Sequence, residues 1–176
     1  MAVSTIVTTV GAADANSYVT LAYANQYHAN RSNTTDWTAE TDDDVLNRCL
    51  LQATIDMEML RYRGTKYDIS LDGDGDAVQA LAFPRTWNTD TNGLYIPRPV
   101  EWAQCEQALF LYWLNASSVE ADDKNNIESF RRGGVSVTYR EPKNEASPTY
   151  GFLSKKAVIL LTDLLLSGSG GLKLRR

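Results

Sequence analysis

Three alternating aspartates form the motif in this chain that most resembles a metal site. Asp72, Asp74 and Asp76 are separated by glycines, and carboxylate oxygens at this spacing can bind Ca²⁺. An EF-hand loop that began at Asp72 would need glycine at its sixth position and glutamate at its twelfth, where the chain has Ala77 and Phe83. The two mismatches favour a solvated turn. We therefore predict no metal and no cofactor, and keep the three aspartates as weak candidates.

The residues that could support catalysis are few. The single histidine, His28, falls in a predicted helix beside Tyr23 and Tyr27, and no serine or cysteine motif accompanies it. The chain has no phosphate-binding loop, dinucleotide fingerprint or zinc-ligand spacing. Cys49 and Cys105 each stand among apolar residues of a predicted helix, which favours core thiols. We therefore predict no catalytic residue and a protein that is not an enzyme.

Basic residues close to aromatic residues leave nucleic-acid binding open. Cationic grooves with stacking aromatic side chains are typical of single-strand binders. The net charge of −5 and the lack of one continuous basic run instead favour solvated charges at helix ends. The basic residues are Arg61, Arg63, Lys66, Arg131, Arg132, Lys155 and Lys156, and the aromatic residues near them are Tyr62, Tyr67, Phe130 and Tyr139.

The last ten residues differ in composition from the rest of the chain. A Gly/Ser linker precedes a short segment in which leucine alternates with basic residues. Such a peptide can add to the sheet edge of another chain, or it can be a frayed end, and the composition leaves both open. We accordingly divide the chain into a helical domain, residues 1–166, and a flexible tail, residues 167–176. The tail residues with this character are Gly168, Gly170, Gly171, Leu172, Lys173, Leu174, Arg175 and Arg176.

The apolar pattern predicts a mainly α fold: a small bundle of about four helices with short β elements and an extended C-terminal tail. Thr20 is the predicted cap of the first helix, and Ser154 that of the last. The second helix begins at Asp42–Asp44 and is predicted to end at Gly64. Its inward face is Leu46, Cys49, Leu50, Ala53, Met57 and Leu60, and its solvent face includes Asp56 and Glu58.

The third helix is predicted to be the most buried element and to pack against the second. Pro97 and Pro99 mark its start, since proline fits a first helical turn. Helical spacing predicts a wide inward face made of Trp102, Ala103, Cys105, Ala108, Leu109, Leu111, Tyr112, Leu114 and Ala116. Between the first two helices, Asn30–Thr41 is predicted to be a loop with Trp37 as its hydrophobic anchor.

Two segments have strand composition. Ser4–Val10 is rich in threonine, valine and isoleucine. After a predicted turn at Arg131–Gly134, Val135, Val137 and Tyr139 alternate with polar residues as in a half-exposed strand. No apolar run reaches the roughly 18 residues of a membrane helix, so we expect no membrane partner.

The order of short motifs resembles that of a family of tailed-phage proteins often labelled DnaT-like, which are similar to head–tail connector (adaptor) proteins. The resemblance covers about Ala15 to Leu166, and none of its motifs is catalytic. They are Ala15 to Ala22, Ala53-Thr54, Arg61-Tyr62-Arg63-Gly64, Gln79 to Arg85, Ile96-Pro97 to Ala103, Val135 to Tyr139 and the leucine-rich last helix.

This resemblance implies a structural virion protein at the head–tail junction, made in the bacterial host cytoplasm. Such subunits form rings, typically dodecameric, that dock on the portal, extend the channel for double-stranded DNA and offer a platform to tail or neck proteins. In similar connectors the C-terminal tail grips the portal, which is the role implied for Gly168 to Arg176. Val135, Val137, Tyr139 and Arg140 are then expected to contact a neighbouring subunit or the tail. The DnaT-like label implies the alternative, single-stranded DNA binding in replication.

Overall fold

The computed structural model of the chain describes residues 5–32, 34–67, 79–91, 93–117, 129–132, 135–138 and 152–166. This part is mainly α-helical, as predicted. Its helices are α1 (Leu21–Ala29), α2 (Thr35–Ala39), α3 (Asp43–Glu58), α4 (Arg98–Ser117) and α5 (Lys155–Leu161). Its strands are β1 (Thr89–Asp90), β2 (Gly93–Leu94), β3 (Ser129–Arg132) and β4 (Val135–Thr138).

α4 forms the centre of the fold. Residues 103–110 are all buried, because α3 and α5 pack along this helix and α1 contacts it as well. The predictions that this helix is the most buried element and that it packs on α3 are therefore confirmed. The predicted inward positions are wrong for Trp102 and Leu114, whose side chains are 37% and 48% exposed. These two residues lie outside the stretch that the neighbouring helices enclose.

Two glutamines on α4 join the helices through buried hydrogen bonds. The Gln104 side chain accepts from the backbone N–H of Tyr18 at 2.9 Å and donates to Thr54 Oγ1 at 2.9 Å. The Gln107 amide donates to the Asp56 carboxylate at 2.7 Å. Asp56 is buried, so its predicted place on the solvent face of α3 is wrong. The reason is that a buried carboxylate is tolerated where such donors replace water.

The predicted helix starts are confirmed by their caps. The hydroxyls of Thr20 and Ser154 accept from backbone N–H groups of the first turns of α1 and α5, at 3.2 and 3.0 Å. The Asp42 carboxylate does the same for α3 at 2.9 Å. Each cap satisfies a donor that the helix itself leaves free. The whole predicted inward face of the second helix is also buried.

Three predictions about the first half of the chain are wrong. Residues 5–10 form no strand; instead the Asn16 side chain accepts from the Val7 N–H at 2.8 Å and donates to the Thr5 carbonyl at 2.9 Å. These bonds take up backbone groups that a strand partner would otherwise satisfy. The predicted loop after Asn30 contains α2, although its anchor Trp37 is buried as expected. The second helix ends at Glu58, six residues before Gly64.

The segment that follows α3 explains this early end. Residues 61–63 pair antiparallel with residues 164–166 through backbone hydrogen bonds of 2.8 and 2.9 Å. Residues 65–67 pair antiparallel with residues 84–86 through bonds of 3.1 and 3.2 Å. Gly64 lies between the two pairings with a φ of 75°, which glycine adopts without a steric penalty. The helix therefore ends at Glu58 because the residues that follow it pair with two segments that are distant in sequence.

Arg85 stabilises this segment through hydrogen bonds from its side chain. Its guanidinium group donates to the carbonyl oxygens of Tyr62 at 2.8 Å, Arg63 at 2.9 Å, Gly64 at 2.5 Å and Ala82 at 3.3 Å. The Arg85 side chain is buried, and burial lowers the pKa of its guanidinium group. Carbonyl dipoles thus satisfy the donors of a charge that has been removed from water.

The two small sheets are antiparallel. β1 pairs with β2 in the register Thr89↔Leu94, and β3 pairs with β4 from Ser129↔Thr138 to Arg132↔Val135. The strand predicted from Val135 is confirmed as far as Thr138, and Tyr139 lies outside the described residues. Arg131 and Arg132 belong to β3 rather than to a turn, so that part of the prediction is wrong. No helix within the described ranges is long and apolar enough to cross a bilayer.

Candidate interaction surfaces

One face of α1 and α4 presents aromatic side chains that hold carboxylates. The Tyr23 hydroxyl donates to Glu101 Oε2 at 2.9 Å, and the Tyr27 hydroxyl donates to Glu106 Oε1 at 2.7 Å. Trp102 lies between the two carboxylates in sequence, with its ring centroid 6.3 Å from that of Tyr27. We call these five residues the aromatic–carboxylate face.

The same pairing recurs at the other end of α4 and beside α3. Tyr112 donates to Glu40, and the Trp113 indole donates to Asp36, each at 3.1 Å. Tyr18 donates its hydroxyl to Glu58, which was predicted to lie on the solvent face of α3 and is half-buried. A neutral aromatic donor satisfies one carboxylate oxygen without cancelling the negative charge, so these groups keep a negative potential on the body.

Burial keeps the tyrosine hydroxyls of these pairs protonated, because it raises their pKa values. Loss of solvent, followed by the hydrogen bond to Glu101, raises the pKa of Tyr23 to about 12. Loss of solvent also raises the pKa of Glu101, which Tyr23 and the charge of Arg98 oppose. Glu106 has cations as well: the Arg31 guanidinium contacts it, and Lys156 lies 3.8 Å away. Burial likewise raises the pKa of Tyr27, so both phenols stay protonated at neutral pH.

His28 lies beneath this face in the core. Its ring centroid is 5.2 Å from that of Tyr27 and 4.7 Å from that of Trp37, and neither ring nitrogen has a hydrogen bond of normal geometry to a described residue. Loss of solvent and then the charge of Arg31 lower its pKa to about 4, although the Cys105 carbonyl acts in the opposite direction. The ring is therefore neutral at physiological pH. Burial also raises the pKa of the Cys105 thiol, so it is not a thiolate nucleophile.

Several side chains of the predicted basic and aromatic cluster near the end of α3 form hydrogen bonds within the fold. Tyr62 is 4% exposed and donates its hydroxyl to the Met57 carbonyl at 2.9 Å, so its ring is not free to stack on a base. Arg63 donates to the Leu165 carbonyl at 2.9 Å, and Lys66 donates to the Ala80 carbonyl at 3.1 Å.

Trp87 is an exposed aromatic residue in this region that the sequence pattern did not reveal. Trp87 is 44% exposed, and its indole nitrogen lies close over Gly64, between the basic residues Arg63 and Lys66 of the chain. Lys155 and Lys156 begin α5, and Lys156 faces Glu106 of α4. The predicted basic residues therefore lie on different elements.

The remaining predicted site residues lie partly outside the described chain. Val135 and Val137 are in β4, whereas Tyr139 and Arg140 are outside the described residues. So are the weak metal candidates Asp72, Asp74 and Asp76 and the predicted portal-binding tail from Gly168 to Arg176. In the part that the structure describes, no three His, Cys, Asp or Glu side chains come together as metal ligands would.

The hydrogen bonds of the aromatic–carboxylate face were not predicted from the sequence. Tyr23 and Tyr27 stand four residues apart, which places them on one face of a helix, and that signal was available. Their acceptors, Glu101 and Glu106, lie nearly 80 residues further along the chain. Only the packing of α1 on α4 brings the donors and acceptors together.

These features define a mainly helical protein whose core helices are joined by buried hydrogen bonds between polar side chains. The chain belongs to the family described as "Putative DnaT-like ssDNA binding protein", whose sequence model matches residues 3–176. Comparisons with curated proteins and with solved structures found no significant match. The DnaT-like part of the expected resemblance is thus confirmed over nearly the whole chain, and the head–tail connector part stays a prediction.

Proposed function

We propose that this protein is a structural subunit of a head–tail connector (adaptor) ring and not an enzyme. The ring docks on the portal, extends the channel for double-stranded DNA and provides a platform for tail or neck proteins. Two observations support the proposal: the order of motifs that the chain shares with connector-like proteins, and a mainly helical body in which α4 joins all the larger helices. The proposed location is the virion, after synthesis in the host cytoplasm.

A third observation that supports the proposal is the set of carboxylates that neutral aromatic side chains hold at the surface. A groove that grips a nucleic-acid backbone needs cations, because phosphate neutralisation supplies most of its affinity. Here a neutral tyrosine holds the half-buried Glu101 carboxylate, whereas Glu106 is buried and pairs with Arg31 and Lys156, so it adds little to the surface charge. The pattern continues to Glu40 and Asp36. Surfaces that repel phosphate suit a subunit past which DNA slides without sticking.

The β3–β4 hairpin supplies a candidate subunit contact. Within the described residues its two strands pair only with each other, so each has an outer edge. A two-stranded hairpin is marginally stable in water and gains from a further partner. We assign this role to the hairpin and to Val135, Val137, Tyr139 and Arg140, and portal binding to the tail from Gly168 to Arg176. The assembled state in this proposal is a dodecamer.

The copy number of this chain in purified virions tests the proposal. Quantitative mass spectrometry should give a ratio to the portal protein near one, since one ring of equal symmetry sits on another. Absence of the chain from virions would overturn the connector proposal. Native mass spectrometry of the portal complex should then report the number of subunits in the docked ring.

The portal-binding role of the tail has its own test. Full-length protein with Leu172→Asp and Leu174→Asp should bind immobilised portal at least about tenfold more weakly, because the apolar side chains of the peptide are lost. Ser169→Asp in the linker is the matched control, since it adds a charge in the same tail and should bind like the parent protein. Equal binding by all three proteins would exclude the tail as the portal-binding segment.

The second candidate function is single-stranded DNA binding, which the family description names. Trp87 favours it specifically, because its indole is exposed over Gly64 and could stack on a base. Fluorescence anisotropy with a labelled oligothymidine separates the two functions. The connector proposal predicts no saturable binding at physiological salt. Saturable binding that Trp87→Ala abolishes, and that Trp102→Ala on the acidic face leaves intact, would favour the alternative.

A further inference from the structure

A surface groove lies between the N-terminal segment, the start of α1, the end of β2 and the first turn of α4. It is an open depression of about 390 Å³, lined by apolar and aromatic side chains that include Val10, Val19, Tyr23 and Tyr95. Val10 and Tyr95 are 39% and 40% exposed, so part of the lining meets solvent. Glu101 is the one charged residue among the lining residues.

The chemistry of this groove matches the end of the chain. Residues Leu172 to Arg176 alternate leucine with basic side chains before a final pair of arginines. Leucines would cover the apolar lining, and a lysine or arginine would lie near the half-buried Glu101 carboxylate. Glu101 has one remaining oxygen to offer, because Tyr23 donates to Oε2. A cation there would offset the cost of burying the carboxylate charge.

The tail can reach the groove within one chain. The described residues end at Leu166, directly after Leu165, which pairs with Tyr62. The Tyr62 ring centroid is 4.8 Å from that of Phe83, and Phe83 is 6.2 Å from Tyr18, which lines the groove. The peptide begins at Leu172, six residues after Leu166, and six residues span up to about 20 Å when extended, against steps of 4.8 and 6.2 Å between these rings.

We propose that the C-terminal segment Leu172–Arg176 binds in this groove of its own chain. The groove is thus a binding site for a basic, leucine-bearing peptide, and the tail is a latch that occupies it until a partner takes the tail. The inference goes beyond the proposed function, since it involves this chain alone. Its failure would leave the connector role standing, and absence of the protein from virions would leave the latch standing.

Disulfide trapping in the full-length protein tests the latch. The two native cysteines are buried, so they do not compete with introduced ones. Val10→Cys combined with Leu174→Cys should cross-link within a monomer under mild oxidation. The control combines Leu174→Cys with Ile55→Cys, an exposed position on α3, and should react at least about tenfold more slowly. Equal rates in the two proteins, or cross-links found only between chains, would overturn the proposal.

The charge of Glu101 supplies a second measurement. Glu101→Gln keeps an oxygen for Tyr23 but removes the negative charge, so the Val10–Leu174 cross-linking rate should fall about fivefold. Asp163→Asn, at an exposed aspartate after α5, is the matched control and should leave the rate unchanged. An unchanged rate in Glu101→Gln would exclude the carboxylate as the partner of the basic tail.

Discussion

The Arg85 guanidinium lies 2.8 Å from the carbonyl oxygen of Tyr62, 23 residues earlier in the chain. This bond joins two of the motifs that identify the family, Arg61-Tyr62-Arg63-Gly64 and Ala82-Phe83-Pro84-Arg85. Both have a structural role, because one supplies a run of carbonyl groups and the other the guanidinium that binds them. These two motifs therefore serve the packing of the fold.

Removing the Arg85 guanidinium should destabilise the fold strongly. Arg85→Met leaves the Tyr62, Arg63 and Gly64 carbonyls without this donor, and loss of one partner from a buried polar cluster costs about 3–5 kcal/mol. The free energy of unfolding in urea measures the effect. Arg48→Met, at an exposed position on α3, should change it by less than about 0.5 kcal/mol. Similar values for the two variants would show that the carbonyl contacts contribute little.

Gly64 should tolerate no side chain. A Cβ there would lie 2.8 Å from the Trp87 indole nitrogen, and the φ of 75° strains any other residue. We expect Gly64→Ala to lower the free energy of unfolding by about 2 kcal/mol or more. In a Trp87→Ala background the cost should fall to that of the backbone strain alone. Gly93→Ala is the control, since nothing lies within 4 Å of its Cβ, and its cost should be the same in both backgrounds.

Alanine substitutions at Leu50 and Ile55 compare the stability contributions of the buried and the exposed side of α3. Leu50 is fully buried, so Leu50→Ala should lower the free energy of unfolding by about 2–5 kcal/mol through lost burial and a residual cavity. Ile55 is 53% exposed, and Ile55→Ala should cost less than about 1 kcal/mol. Chemical denaturation of both variants gives the comparison. A larger loss for Ile55→Ala would contradict the packing of α3 on α4.

Acid should destabilise the protein through His28. Its pKa falls from the ordinary 6.5 to about 4 in the folded state, so the unfolded chain binds the proton more tightly. The stability that His28 contributes as a neutral ring is complete above pH 6.5 and is lost as the pH falls towards 4. The total loss is about 3 kcal/mol, from the size of the shift.

The control for this pH dependence is His28→Gln, which cannot titrate. Unfolding free energies of the two proteins between pH 7 and pH 4 should differ in slope, since the parent protein loses more stability in this range. Carboxylates titrate equally in both and cancel in the comparison. Parallel slopes would show that His28 is solvated or paired in solution.

Local patterns predicted the helices well. Thr20, Asp42 and Ser154 act as caps because a cap contacts only the first turn of its own helix, so its signal lies within a few residues. The prediction of a strand near the N-terminus is wrong, because strand composition does not supply a neighbouring strand with which to pair. Asn16 satisfies the backbone there instead, through a side chain whose role no periodic pattern reveals.

The fold class, the helix starts and the buried face of α3 follow from residue type and from spacing along one element, and the DnaT-like family follows from the order of short motifs along the chain. The partners of the polar groups depend on how the helices pack. Tyr23 and Glu101 are 78 residues apart, and Asp56 and Gln107 are 51 apart, yet each pair shares a hydrogen bond. Such bonds form only where helices pack, since burial removes the water that would otherwise satisfy both groups.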